Sequence, residues 1–173
     1  MNVLNERFRF LAVLGALVLL TSGLRADLRL AKTFGDHMVL QRDQEISIWG
    51  WADAGKRVEV EFGGSNASAT ANGDGAWRAK LPAQAANSNG QRLIVSSGEV
   101  NVVLDDVLVG EVWVCGGQSN MEWSLRGSLH SDLELLSAAD DQLRFLKVPH
   151  LARPKAQSDF PIGPNDRWAG WRP

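Results

Sequence analysis

From Asp27 to about Leu104 the chain alternates apolar and polar residues over short runs. In Arg57-Val58-Glu59-Val60-Glu61-Phe62 the apolar side chains fall on every second position, which is the period of a half-buried strand. Glu45 to Trp51 repeats the pattern around Ile46 and Ile48, and Asn66 to Thr70 repeats it more weakly. Asn72-Gly73-Asp74-Gly75 is rich in residues that tolerate positive φ, and predicts a turn into a strand over Trp77 to Leu81. Arg92 to Ser96 and Val100 to Leu104 pair across Ser97-Gly98, and Asn87 to Gly90 reads as a polar loop. Short strands at close spacing predict a β-sandwich of immunoglobulin-like size over 27–104.

The pattern changes near Asp105. Val107 to Cys115 is almost continuously apolar, as in a buried central strand of a parallel sheet. Gly116-Gly117 stops the run. Ser131 to Ala139 predicts a helix, with Ser131 or Asp132 as its N-cap. Leu143 to Val148 predicts a second strand, ended by Pro149. Strand, helix, strand is how a doubly wound, flavodoxin-like α/β unit begins. Two strands and one helix do not complete such a unit, so the expectation for 105–173 is the truncated start of an α/β domain.

Residues 1–26 stand apart from both regions. Arg7 and Arg9 precede an uncharged apolar run from Phe10 to Leu20, and Thr21-Ser22-Gly23 and Ala26 supply small residues. This predicts a secretory signal peptide, an exported protein in periplasm or medium, and no stable membrane insertion after cleavage. An uncleaved N-terminal anchor is the alternative.

Composition narrows the function classes. Apolar residues at 45% and charged residues at 22% exclude a disordered tail or a coiled coil. A net charge of −2 supplies no basic field for a phosphate backbone, which argues against nucleic acid as a partner. One cysteine and three histidines are too few for a closed zinc site, and one cysteine excludes a disulfide scaffold. No metal and no other cofactor is expected. Seven tryptophans fit a core or a sugar-stacking surface, and Trp49 and Trp51 share one strand face, where a sugar platform and a contact with the domain that follows fit equally.

The chemically loaded stretch is Cys115-Gly116-Gly117-Gln118-Ser119-Asn120-Met121, placed where the apolar run ends. A glycine-rich turn there can lift a serine Oγ above a sheet and aim its N–H at the reacting oxygen. Ser119 is therefore a candidate nucleophile and backbone oxyanion donor, although the spacing is not G-x-S-x-G. Gln118 and Asn120 flank it as candidate substrate-binding residues. A Gly-Ser loop at a strand end is the plain alternative. Cys115 reads as small buried filling, Trp113 as a residue packed under a helix, and Trp123 as core or a pocket border. None of His37, His130 and His150 has a carboxylate at a telling spacing.

Asp106 to Glu122, reading D-V-L-V-G-E-V-W-V-C-G-G-Q-S-N-M-E, resembles the first conserved block of the sialate O-acetylesterases, in the SGNH or GDSL-like hydrolase superfamily. Phe34 to Arg42, Trp49 to Ala52 and Asp74 to Trp77 are similar to that family's N-terminal segment, and Trp168 to Pro173 resembles its W-x-x-x-x-P element. The resemblance implies a serine esterase that removes acetyl groups from sialic acid or another acetylated sugar, with Ser119 as nucleophile. It also implies a base and acid in a D-x-x-H segment, which this sequence lacks, and further oxyanion donors, a Gly and an Asn, from later blocks. Gly163-Pro164-Asn165-Asp166 spells G-x-N-D, but reads as a surface turn in a Pro-rich loop. The expectation is an exported esterase segment that is inactive alone. The alternative is a non-catalytic carbohydrate-binding β-sandwich with a vestigial hydrolase segment.

Overall fold

The computed structural model describes residues 28–161 and 167–171. The signal-peptide reading and the G-x-N-D turn lie outside them. The described chain is mostly β, with strands β1 (Arg29–Leu30), β2 (Val39–Gln41), β3 (Ile46–Trp51), β4 (Arg57–Phe62), β5 (Ser65–Thr70) and β6 (Ala76–Leu81). Then come β7 (Asn87–Ser97), β8 (Val100–Gly110), the α-helix α1 (Ser131–Ser137), β9 (Asp140–Phe145) and β10 (Ala169–Trp171).

The period-two runs become the core strands. Val58, Val60 and Phe62 of β4 are buried, while Arg57, Glu59 and Glu61 face outward. β4 sits between β5 and β7 in a five-stranded sheet of order β2-β8-β7-β4-β5. A three-stranded sheet of order β1-β3-β6 supplies Ile46, Ile48, Trp77, Ala79 and Leu81 to the same core. Both sheets therefore share one apolar interior, whose largest fully buried side chain is Phe62.

Turn chemistry follows the residues. The Asn72 side-chain Oδ1 accepts the N–H groups of Asp74 at 3.0 Å and Ala76 at 2.9 Å, closing the turn before β6. Gly75 completes it at φ 79°, a region that favours glycine. At Gly50 a Cβ would collide with the Arg29 carbonyl, so β1 crosses β3 there without room for a side chain.

Four expectations need correction. Asn87 to Gly90 is not a free loop; it opens β7, in irregular register against β8. The change at Asp105 falls within β8, a continuous strand from Val100 to Gly110. The apolar run stops being a strand at Gly110, because residues 111–117 find no strand to pair with among the described residues. Only Val107, Leu108 and Val109 of the run are buried, and β8 pairs parallel with β2 alone. The predicted second strand forms as β9, but it pairs antiparallel with β10 in a separate two-stranded sheet. No α/β unit is closed among the described residues. None of their helices is long and apolar enough to cross a membrane.

Candidate active site

Ser119 opens a 3-10 helix, Ser119–Glu122, preceded by Gln118 in an extended conformation. The Gln118 carbonyl accepts the Met121 N–H at 2.9 Å, and the Asn120 carbonyl accepts the Trp123 N–H at 3.3 Å. In a 3-10 helix residues three apart eclipse, so Glu122 lies on the side of the turn that carries Ser119. Gln118, Ser119 and Asn120 are all exposed, and no hydrogen bond holds the Ser119 hydroxyl among the described residues.

Two contacts to the β-module hold the ends of this segment. At its start, the Gln41 side chain accepts the Val112 N–H through Oε1 at 2.8 Å and donates through Nε2 to Glu111 at 3.2 Å. The Arg42 N–H also donates to the Gly110 carbonyl at 2.9 Å. β2 therefore fixes where β8 lets the chain go. At the far end, Arg144 of β9 reaches back to Asp106: Nη2 lies 3.0 Å from Oδ2, and Nη1 donates to the Asp106 carbonyl. The Arg144 side chain is only 7% exposed, so this contact is a fixed feature rather than a loose surface pair.

Asp106 also receives His37, Nδ1 to Oδ2 at 2.7 Å. The His37 hydrogen bond, helped by Arg144 and opposed by partial burial, holds the Asp106 carboxyl below its ordinary range. Both His37 (φ 64°) and Asp106 (φ 56°) occupy the left-handed region, which is costly for residues with a Cβ. Sequence reading missed this pair, because 69 residues separate the partners. It also missed Gln41 as an anchor of the serine segment.

The other histidines are placed differently. His150 Nδ1 lies 3.5 Å from Glu122 Oε1, with both side chains largely exposed. His130 caps α1 through its carbonyl, which accepts from Leu133 and Glu134. No described hydrogen bond carries either histidine to Ser119. Cys115 is exposed, not buried filling, and Trp113 is 83% exposed rather than packed under a helix. Both follow from the loss of strand pairing after Gly110. Trp123 is exposed too, with its ring against Gly127.

The Trp49 and Trp51 faces already have partners. The Arg29 guanidinium stacks 3.9 Å from the Trp51 ring centroid, and that of Arg78 lies 5.1 Å from Trp49. Phe34 meets Trp49 edge-on at 4.6 Å. These cation–π and aromatic contacts take up ring surface that a sugar platform needs free. Among the described residues, no group of three or more His, Cys, Asp or Glu is arranged to hold a metal ion.

With this geometry in place, comparison with solved structures decides the direction. The chain is similar to a carbohydrate acetylesterase. The match is to the crystal structure of a carbohydrate acetylesterase from Xanthomonas citri, at 36% sequence identity and a TM-score of 0.76. It covers 82% of this chain but 32% of that one, so this chain spans about a third of the enzyme's length. No protein-family model matches the chain, and no curated protein does.

Proposed function

We propose that this chain supplies the nucleophile-bearing part of an exported carbohydrate O-acetylesterase. The observation that carries the reading is the 36% identity to a carbohydrate acetylesterase over 82% of the chain. At the finer level the reading is a sialate O-acetylesterase-like enzyme of the SGNH superfamily. Residues 1–26 are its signal peptide, the stretch from Asp27 to the end of β8 an immunoglobulin-like β-sandwich, and the residues after β8 the first part of a flavodoxin-like hydrolase domain. The substrate is an acetylated sugar, sialic acid being the one the motif resemblance suggests.

The chemistry follows from Ser119. Its Oγ attacks the acetyl carbonyl carbon, and a base takes the hydroxyl proton. The tetrahedral oxyanion collapses, the sugar leaves as an alcohol after accepting a proton, and an acetyl-serine remains. Water then attacks the acetyl-serine, releasing acetate and restoring the hydroxyl. The Ser119 N–H is one oxyanion donor, and the loss of a single such donor costs about 2.7–4 kcal/mol at the transition state. The reading gives Gln118 and Asn120, exposed beside the serine, the role of meeting sugar hydroxyls. Residues 1–173 contain no D-x-x-H, so the reading assigns the base and its carboxylate to residues outside this sequence and makes these residues alone a poor catalyst.

A chimera tests the reading. The Xanthomonas citri enzyme is rebuilt with its matching part replaced by residues 28–173 of this chain. Acetate release from acetylated sugars is then measured with and without Ser119→Ala. The expected result is turnover that falls by about a thousand-fold or more in the variant. A chimera that folds by circular dichroism and releases no acetate overturns the proposal.

A further inference from the structure

The serine-bearing segment is a long loop closed at its base by one side chain. Residues 111–139 leave the five-stranded sheet after Gly110 and come back as β9. Arg144 of β9 closes the loop onto Asp106 of β8, 38 residues earlier. Inside the loop the backbone bonds are local, as at Met121, Trp123 and Leu133. Among the described residues, no hydrogen bond joins residues 113–139 to residues 28–110. The two ends of the loop therefore set where Ser119 sits relative to the β-module. Gln41 fixes the first end through Glu111 and Val112. At the second end one carboxylate oxygen, Asp106 Oδ2, takes both Arg144 Nη2 at 3.0 Å and His37 Nδ1 at 2.7 Å. The same guanidinium donates through Nη1 to the Asp106 carbonyl, so it grips side chain and backbone together. The His37 N–H donates to the Asp105 carbonyl at 3.0 Å, and the Asp105 N–H to Asp36 Oδ1 at 2.8 Å. His37 and Asp106 both hold a positive φ at this junction. Such strain persists only where the surroundings over-determine it, and it collects at functional sites. An ordinary surface ion pair needs neither a nearly buried guanidinium nor two strained residues.

We propose that Arg144, Asp106 and His37 are positioning residues for Ser119. They clamp the returning end of the loop and so hold the nucleophile where it meets an acetyl carbonyl. The effect on turnover rests on the esterase reading; the clamp itself does not. Displacing a reacting group by about 1 Å costs about a hundredfold in rate, so a loosened clamp is felt in the acyl-transfer step. Lysine is a poor substitute for Arg144. Its ammonium is a single point charge and cannot supply the fork that reaches Oδ2 and the carbonyl together.

The test places two nitroxide labels on the full chain. One goes to position 119, by Ser119→Cys with Cys115→Ser, and the other to β5, by Ser68→Cys. Cys115 is the lone native cysteine, so no other site takes a label. Double electron–electron resonance then reads the spread of the distance between them. Arg144→Ala and His37→Gly are expected to broaden that spread at least twofold while the β-module stays folded by circular dichroism. Arg144→Lys keeps a charge beside Asp106, is expected to broaden it too, and serves where Arg144→Ala does not fold. Asp159→Asn weakens a tie outside the loop, where Asp159 accepts the Lys32 N–H, and is expected to change nothing. In the acetylesterase chimera, Arg144→Ala is expected to lower kcat/KM at least tenfold, and added methylguanidinium to raise it again at least threefold. An unchanged spread in the Arg144 variants overturns the proposal, as does equal broadening by Asp159→Asn. So does an active chimera whose rate is indifferent to Arg144→Ala, or a loss that methylguanidinium leaves untouched. A broadened spread in the full chain, beside a folded chimera that releases no acetate, keeps the clamp and removes the esterase reading.

Discussion

Phe62→Ala probes whether the two sheets stand or fall together. Phe62 is fully buried in β4 of the five-stranded sheet, while Trp77, 4% exposed, belongs to β6 of the three-stranded one. Burial of a phenylalanine is worth about 1.5–3 kcal/mol in transfer alone, and the cavity left behind raises the cost of truncation to about 3–5 kcal/mol. Residues 28–110, roughly 80 in number, should carry about 4–12 kcal/mol in all at about 0.05–0.15 kcal/mol per residue. The substitution therefore removes from a quarter to all of the stability. At about 4–8 °C per kcal/mol, the melting temperature falls by at least about 12 °C. Urea unfolding, followed by the indole N–H resonance of buried Trp77, resolved from those of the other six tryptophans, gives the measurement, with Val103→Ala as the partly exposed control. The expected outcome is a single transition with a much lower midpoint and an unchanged slope. If the Trp77 transition stays in place, or moves no further than in the control, the shared core is refuted.

Other outcomes follow from the same physical arguments. Asp106→Asn tests the carboxyl that His37 and Arg144 hold below its ordinary range. A lowered folded-state value means the charged form stabilises the fold above the ordinary value of about 3.9, and that this contribution is lost as pH falls through the folded value. The Asp106 side chain is 40% exposed, so the gap at neutral pH should be about 1 kcal/mol or less. Urea midpoints between pH 6 and pH 2 should show the gap shrinking in acid; a constant gap contradicts the assignment. Gly75→Ala places a Cβ 2.5 Å from the Ala52 carbonyl oxygen at φ 79°, and should cost about 1–3 kcal/mol by thermal melting. In the chimera, His150→Ala should leave acetate release within about twofold of the parent, because the base lies elsewhere. A loss comparable to that of Ser119→Ala would instead make the Glu122–His150 pair the proton acceptor.

The sequence was most readable where a residue's neighbours were supplied by the nearby chain. β4 could be read residue by residue because Val58, Val60 and Phe62 alternate against charges that face solvent. The turn at Asn72 could be read because one side chain satisfies two nearby N–H groups. The His37–Asp106–Arg144 cluster could not, because its partners meet only after β2, β8 and β9 have been placed. Ser119 is a candidate on its glycines and flanking residues alone, and nothing local revealed that Gln41 anchors the segment that carries it.

Val112 to Val114 is the instructive failure. Their apolar character specifies burial, but periodicity records an environment without saying what provides it. β8 is strand-like while β2 and β7 lie beside it, and the chain leaves the sheet at Gly110, where β2 ends its pairing at Gln41. The residues that follow have the composition of a sheet interior and the exposure of a surface. That conflict between local pattern and observed burial is why the strand expectation failed beyond Gly110.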